Sequence, residues 1–229
     1  MHNLAVFRQA HGIAVKTARY GQKALAFVVA HDVPHNNTST EIYRDGGAFT
    51  LVPLPMHENR HASAVVWMDH GRASVDRKAA TPEALAAEAT TRSCHILGDL
   101  TLISPVGSFP IITQIAERMT AERTILLAEA AHVLPPIGAQ GLNTSLADVA
   151  ALGALVDDHA ADPGSLAFLT GYRDLRARDI ATRARVIDAF NRMCRSGHPA
   201  AQSLRQRGLA IAHDVTPLRN RLMQAGLGH

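Results

Sequence analysis

Leu134-Pro135-Pro136-Ile137-Gly138-Ala139-Gln140-Gly141-Leu142-Asn143 is the stretch on which the fold turns. An apolar, strand-like run, Arg123-Thr124-Ile125-Leu126-Leu127-Ala128, precedes it and ends at the acidic Glu129. A helix is expected from about Asn143, with its apolar body over residues 145–159. The order is therefore strand, loop, helix. Gly138 and Gly141 carry no Cβ, so a ligand can approach the backbone closely there. Pro135-Pro136 stiffens the approach. The helix start offers N–H groups and a partial positive charge, which suit an anion or an electron-rich carbonyl. Glu129 is placed to bond a sugar or ribityl hydroxyl. Taken alone, a GxxG loop before a helix is common, and an ordinary tight strand-to-helix turn explains it as well.

Working toward the N-terminus, residues 20–68 read as an antiparallel meander. Ala24–Ala30 is a short run of strand formers ending at the turn cluster Pro34-His35-Asn36-Asn37. Glu41–Arg44 leads into Asp45-Gly46-Gly47, a hairpin signal, and residues 48–55 return. Ser63–Met68 is the next strand, and its Trp67 is expected in the core. A helix is expected over 82–93, with Thr81 as N-cap and Pro82 in the first turn. Strands follow at 100–106 and 111–115, around a turn at Gly107-Ser108.

Toward the C-terminus, a long helix is expected from Leu166 to Arg195. Leu166, Leu169, Tyr172, Leu175, Ile187, Phe190 and Cys194 lie near one face of it. Gly197-His198-Pro199 breaks it, and a last helical stretch covers about 200–225, interrupted near Pro217. The fold class is α+β.

Composition excludes several functions. The chain has 229 residues, 47% hydrophobic and 19% charged, enough to bury a core. Cys94 and Cys194 form no CxxC, which argues against a cysteine zinc site or a disulfide framework. The thirteen histidines show no HExxH or similar helical pair, so no metal site is expected. The start shows no basic segment followed by an apolar run, so no secretory signal is expected. Residues 171–229 carry eleven Arg against four acids. Aromatic platforms are sparse there, so a solvated arginine face is expected rather than a nucleic-acid surface. No nucleophilic Ser, Cys–His pair or paired carboxylates stand out, and no catalytic residue is assigned.

The whole string 126–143, followed by Asp148 and Ala150-Ala151-Leu152, resembles the second flavin motif of the para-hydroxybenzoate-hydroxylase-like, FAD-dependent aromatic monooxygenases. The family pattern there is Gly-Asp-Ala-Ala-His, a Pro, Gly-Gln-Gly-x-Asn, then an Asp on an apolar helix. The branch it most resembles is the ubiquinone-biosynthesis hydroxylases. Residues 20–24, 51–55 and 64–67 resemble that branch's substrate-side sheet, and segments of 173–223 resemble its tail.

The resemblance implies a cofactor site. Glu129 and Ala130 would lie at the ribityl chain and Pro136 at the flavin ring. Gly138, Ala139, Gln140, Gly141, Leu142 and Asn143 would present backbone groups to the ring's pyrimidine side, with His132 a structural hydrogen-bonder. FAD is the implied cofactor, with NAD(P)H as donor and O2 as co-substrate. The implied substrate is aromatic, in some branches prenylated. Residues 1–120 would be the substrate-side sheet, 121–165 the C-terminal part of the FAD-binding domain, and 166–229 a helical region. A cytoplasmic location, peripheral to the inner face of a membrane, would suit such a substrate.

Two departures matter. The family's βαβ unit with GxGxxG, which holds the ADP part of FAD, has no counterpart here, so an N-terminally truncated flavin domain is expected. A partner chain would then supply the missing half. Secondly, Ala128-Glu129 stands where the family has Gly-Asp. Two other readings therefore stay open: a non-catalytic remnant or binding module, and a flavin oxidoreductase acting on another substrate.

Overall fold

The computed structural model describes residues 6, 8–44, 46–138 and 140–227. It divides into two compact units. The sheet unit comprises Tyr20–Ile111 and Asn191–Arg207; the motif unit comprises Met1–Arg19, Ile112–Phe190 and Gly208–His229.

In the sheet unit, β1 (Val15–His31, its first residues in the motif unit), β2 (Thr40–Arg44), β3 (Gly47–His57) and β4 (Arg60–His70) form an antiparallel sheet in the order β2-β3-β4-β1. The short β5 (Thr101–Leu102) also pairs with β1. Register follows the two-residue period of the side chains. Phe49, Trp67 and Leu25 align across three strands, as do Leu51, Val65 and Phe27. These six fill one face together with Leu85 and Ala89. The latter two come from α2 (Pro82–Arg92), which starts on the expected N-cap, Thr81 Oγ1 accepting from the Ala84 N–H. Trp67 is a core residue, as expected: it is 2% exposed, edge-on to Phe49 at 5.3 Å, with the Arg77 guanidinium 4.3 Å above its ring.

The expected hairpin between β2 and β3 is present, though Asp45 lies outside the described residues. Gly46 has φ +89°, and a Cβ there would sit 2.1 Å from Asp69 Oδ1. Only glycine fits. The helix α1 (Gly71–Ala79) was not legible, because its apolar content is low.

The sheet unit also holds the C-terminal end of α4 (Leu166–Arg195) and the first part of α5 (Pro199–Asp214). The contacts there are polar. Asn191 Nδ2 donates to Gln22 Oε1 at 3.0 Å, and Gln22 Nε2 donates to the Gly46 carbonyl at 2.7 Å. Arg195 donates to the Tyr20 carbonyl, and Arg205, 7% exposed, donates to the carbonyls of Cys194 and Tyr43.

The motif unit contains the end of β6 (Gly107–Ala116), β7 (Thr120–Ala121), β8 (Thr124–Ile125), β9 (His132–Val133), α3 (Gln140–Asp158), most of α4, and α6 (Thr216–Leu227). Here β6 pairs with β9 and β7 with β8. Met119, Leu155, Phe168, Leu169, Tyr172 and Ile180 form one apolar cluster; Ile13, Ala116, Leu126 and Ala131 form a second.

Four expectations are corrected. The strand over 123–128 shrinks to Thr124–Ile125, because Arg123 and Ala128 both take left-handed backbone, φ +49° and +50°. Gly107-Ser108 begins strand β6 and is no turn. On α4, Leu169, Tyr172, Ile187 and Cys194 are buried as expected, but Leu166 and Leu175 are exposed, and Phe168, Arg176, Ile180 and Asn191 join the inner stripe, which therefore includes polar residues. Finally, the arginines of the tail do not all form a solvated face: Arg176 and Arg205 are buried and hydrogen-bonded. The C-terminal break falls at Val215, two residues before Pro217. Pro217 has no N–H for the His213 carbonyl, and Arg219 Nη1 donates to that carbonyl instead, at 3.3 Å.

Candidate cofactor site

The motif folds as a 3-10 turn at Ala128–Ala130, the short β9, a loop through Pro135–Gly138, and then α3. The helix begins at Gln140, earlier than the sequence suggests. Ile137 N–H donates to the Pro135 carbonyl at 2.8 Å, and Ile137 is buried under the loop. Gly138 has φ +62°, a left-handed conformation that carries the chain from loop to helix. Gly138, Gly141 and Leu142 are exposed. A Cβ on Gly141 would meet nothing within 4 Å, so the approach to the first turn of α3 is open. No acidic side chain stands in that turn to offset the positive end of the helix.

Behind the loop lies a chain of buried charges. Asp148, fully buried on α3, accepts at Oδ2 from the Ala128 N–H (2.9 Å) and from His132 Nε2 (2.7 Å). Its Oδ1 accepts from Arg176 Nε on α4 at 2.8 Å. Arg176 Nη2 donates to the Thr144 carbonyl at 3.1 Å, and Nη1 to Asp179 Oδ2 at 2.7 Å. Asp179 accepts from Arg183 Nε with both oxygens at 3.0 Å. Arg183 Nη1 donates to Gln140 Oε1 at 2.9 Å, and Gln140 Nε2 donates to the Gly138 carbonyl at 3.1 Å. Burial alone would raise the Asp148 carboxyl, but hydrogen bonds from His132, the Ala128 N–H and Arg176 hold it below its ordinary value. It is a carboxylate throughout the neutral range.

The expected site residues divide into groups. Pro136, Gly138, Gln140, Gly141, Leu142 and Asn143 come together at the loop and the first helical turn. Glu129 and Ala130 sit on the 3-10 turn, Glu129 exposed and the Ala130 carbonyl accepting from Arg8 Nη1 at 3.0 Å. Ala139 lies outside the described residues. His132 is structural, 3% exposed and committed to Asp148. Sequence reasoning missed Arg176, Asp179 and Arg183. Their signal was present as the i, i+3 and i, i+4 charge spacing of 176, 179 and 183 on one helix. Among the described residues no group of His, Cys, Asp or Glu could hold a metal ion.

The residues present fit one edge of a flavin: two glycines open to the surface, a helix start without a competing acid, and a loop held from behind. Comparison with known proteins agrees. Residues 5–185 match the model of the FAD binding domain, and the chain belongs to that family. It is 29% identical to ubiquinone hydroxylase UbiL of Rhodospirillum rubrum, over 96% of this chain and 51% of that protein. It is 25% identical to the mitochondrial ubiquinone biosynthesis monooxygenase COQ6 of Homo sapiens, over 97% of this chain and 54% of that one. Among solved structures, p-nitrophenol 4-monooxygenase PnpA from Pseudomonas putida shares the fold, with a TM-score of 0.73 at 17% identity, covering 97% of this chain and 57% of that one. The chain thus spans about half the length of the curated relatives it matches.

Proposed function

We propose that this chain forms the flavin-ring and substrate side of an FAD-dependent aromatic hydroxylase of the ubiquinone-biosynthesis type. The observation that carries the reading is the open first turn of α3, with Gly138 and Gly141 exposed and no acid beside them. Bound there, FAD would supply reduction by NAD(P)H and activation of O2 for ring hydroxylation. The protein's own part is electrostatic and positional. The backbone of Gly138–Asn143 would hold the ring's pyrimidine side, and the α3 N-terminus would favour negative charge there. Pro136 would line the ring, and Glu129 and Ala130 the ribityl chain.

The division of roles follows: 1–120 as the substrate-side sheet, 121–165 as the flavin portion, 166–229 as the helical region. An aromatic, prenylated substrate is supported by the sheet face opposite the core. There Ala26–Val66–Thr50 and Val28–Ala64–Val52 align as half-open rows of small and β-branched side chains. Such a substrate would bring the protein to the inner face of a membrane; among the described residues no helix is long and apolar enough to cross one. A second segment or chain bearing the dinucleotide fingerprint would complete the cofactor site. The exposed Leu142, Leu146, Val149 and Val156, on one face of α3, support such a covering partner.

Titration of the purified chain with FAD tests the reading. Growth of a protein-bound flavin band at visible wavelengths, followed by bleaching with NAD(P)H, is the expected result. A folded protein that stays colourless, both alone and with the complementary half added, would overturn it. One observation favours a non-catalytic remnant instead: Ala128, where the family has Gly, sits at φ +50°. The same titration decides between the two.

A further inference from the structure

The charge chain behind the cofactor loop ends in an arrangement that no motif accounts for. Gln140 is the first residue of α3, and its amide group is engaged at both ends. Its oxygen accepts from Arg183 and its nitrogen donates to the Gly138 carbonyl. Its side chain is therefore committed within the protein and is not presented to a ligand. Arg183 in turn is fixed by both oxygens of Asp179, on the same helix one turn earlier.

We infer that Arg183 is a positioning residue for the cofactor loop: acting through the Gln140 amide, it holds Gly138 and the first turn of α3 in the geometry that a flavin needs. The inference rests on the proposed function for the identity of the ligand, but not for the positioning itself.

Gly138 lies in left-handed backbone, and the nearest atoms a Cβ there would meet are those of the Gln140 side chain, at 3.9 Å and beyond. A glycine reverts readily between backbone regions, so an outside restraint must select one of them. The Gln140 side chain supplies one such restraint, since it bonds the Gly138 carbonyl directly. Left alone, an amide side chain at a helix start would rotate into solvent. The bond from Arg183 removes that freedom, and it is charge-assisted and half-buried. The same chain of bonds reaches Ala128 at the other end of the loop, through Asp179, Arg176 and Asp148. Both ends of segment 128–140 are thereby referred to one helix, α4.

Two variants separate positioning from plain stabilisation. Arg183→Gln removes the restraint on Gln140. Gln140→Glu keeps and strengthens the contact with Arg183, but replaces the donor to the Gly138 carbonyl with a second acceptor. The first readout is amide hydrogen exchange in the flavin-free protein at Thr144–Ala147, whose N–H groups close the first turn of α3, with Leu152–Leu155 as the internal control. Both variants should raise exchange at Thr144–Ala147 by at least about tenfold and leave the control segment unchanged. The second readout is FAD affinity, expected to fall by about tenfold in both, with the thermal midpoint unchanged in Gln140→Glu.

If Gln140→Glu behaves as wild type while Arg183→Gln loosens α3 throughout, Arg183 is only a stabilising ion-pair partner and the inference is overturned. If neither variant changes exchange, it is overturned too. If the wild-type protein takes up no FAD, the proposed function fails, and the exchange arm still decides the role of Arg183.

Discussion

The two units keep their shape by different means. The sheet unit relies on apolar interlock: Phe49, Trp67, Leu25, Leu51, Val65 and Phe27 in two cross-strand rows against α2. The motif unit has apolar clusters as well, but segment 128–140 is held by ions: Asp148, Arg176, Asp179 and Arg183, with His132. The difference follows from what each must do. A sheet face can be buried by neighbouring strands and a helix. A loop with its backbone open at Gly138 and Gly141, as the proposed cofactor site requires, cannot bury itself, so it needs directional bonds from behind. Apolar packing tolerates volume-conserving exchange, whereas a buried ion chain fails when one member is removed.

The largest expected effect breaks the motif unit alone. Asp148→Ala leaves the buried Arg176 with only Asp179 and the Thr144 carbonyl, and frees the Ala128 N–H and His132. A loss of about 3–5 kcal/mol is expected from such a broken pair. Denaturant unfolding read by hydrogen exchange should show it in 112–190 before the sheet. Equal loss of protection in both units would undo the contrast between them.

Next comes Gly46→Ala in the sheet unit. It combines a left-handed φ with a contact at 2.1 Å to an Asp69 carboxylate already held by Arg77 and the His70 N–H. About 2–3 kcal/mol of destabilisation is expected, from strain of this class. A thermal midpoint within a degree of wild type would show that the turn relaxes freely.

A smaller effect, in the opposite direction, should come from Ala128→Gly. Left-handed backbone costs a residue with a Cβ about 1–2 kcal/mol, partly offset by the greater freedom of glycine when unfolded. A net gain of about 0.5–1 kcal/mol is expected in thermal or denaturant unfolding. If flavin binding also improves, Ala128 is the departure that matters in the motif.

Acid sharpens the comparison further. His31, fully buried and bonded to the Val33 carbonyl and Ser63, is pushed down chiefly by burial. A histidine held neutral in the fold contributes stability above its unfolded pKa, near 6.5, and loses it as pH falls through the lower folded value. Asp148 is also depressed, so its contribution is present above its unfolded pKa, near 3.8, and is lost only below that. The strand ends at His31 and Ser63 should therefore loosen first on acidification, and the ion chain later. Exchange measured from pH 7 to pH 3 that reverses this order would contradict the assignment.

Much of the fold was legible because the relevant forces are local. Short apolar runs of strand formers over 24–30, 48–55 and 63–68, set off by turn signals, marked the sheet, and Thr81-Pro82 marked the start of α2. Elements whose residues lack periodicity were not legible. α1 is mostly polar, and β7, β8 and β9 are two residues each, set by pairing rather than by propensity. On α4 the apolar residues marked only part of the inner stripe, Leu169, Tyr172, Ile187 and Cys194, since burial there is shared with Arg176 and Asn191. A charged side chain reads as solvent-facing until its partners are known.

The string 126–143 with Asp148 was enough to mark the family and the order strand, loop, helix, though the helix starts three residues earlier than expected, at Gln140. Those features lie within a few residues of one another, and local chemistry suffices to produce them. Only the tertiary structure decided what holds that helix start in place. Arg176 is 28 residues from the Asp148 carboxylate it bonds, and Arg183 is 43 residues from the Gln140 amide it bonds. No local rule reports which distant carboxylate or amide a buried arginine will meet, because the free energy of that choice comes from desolvation and geometry that exist only once the helices are packed.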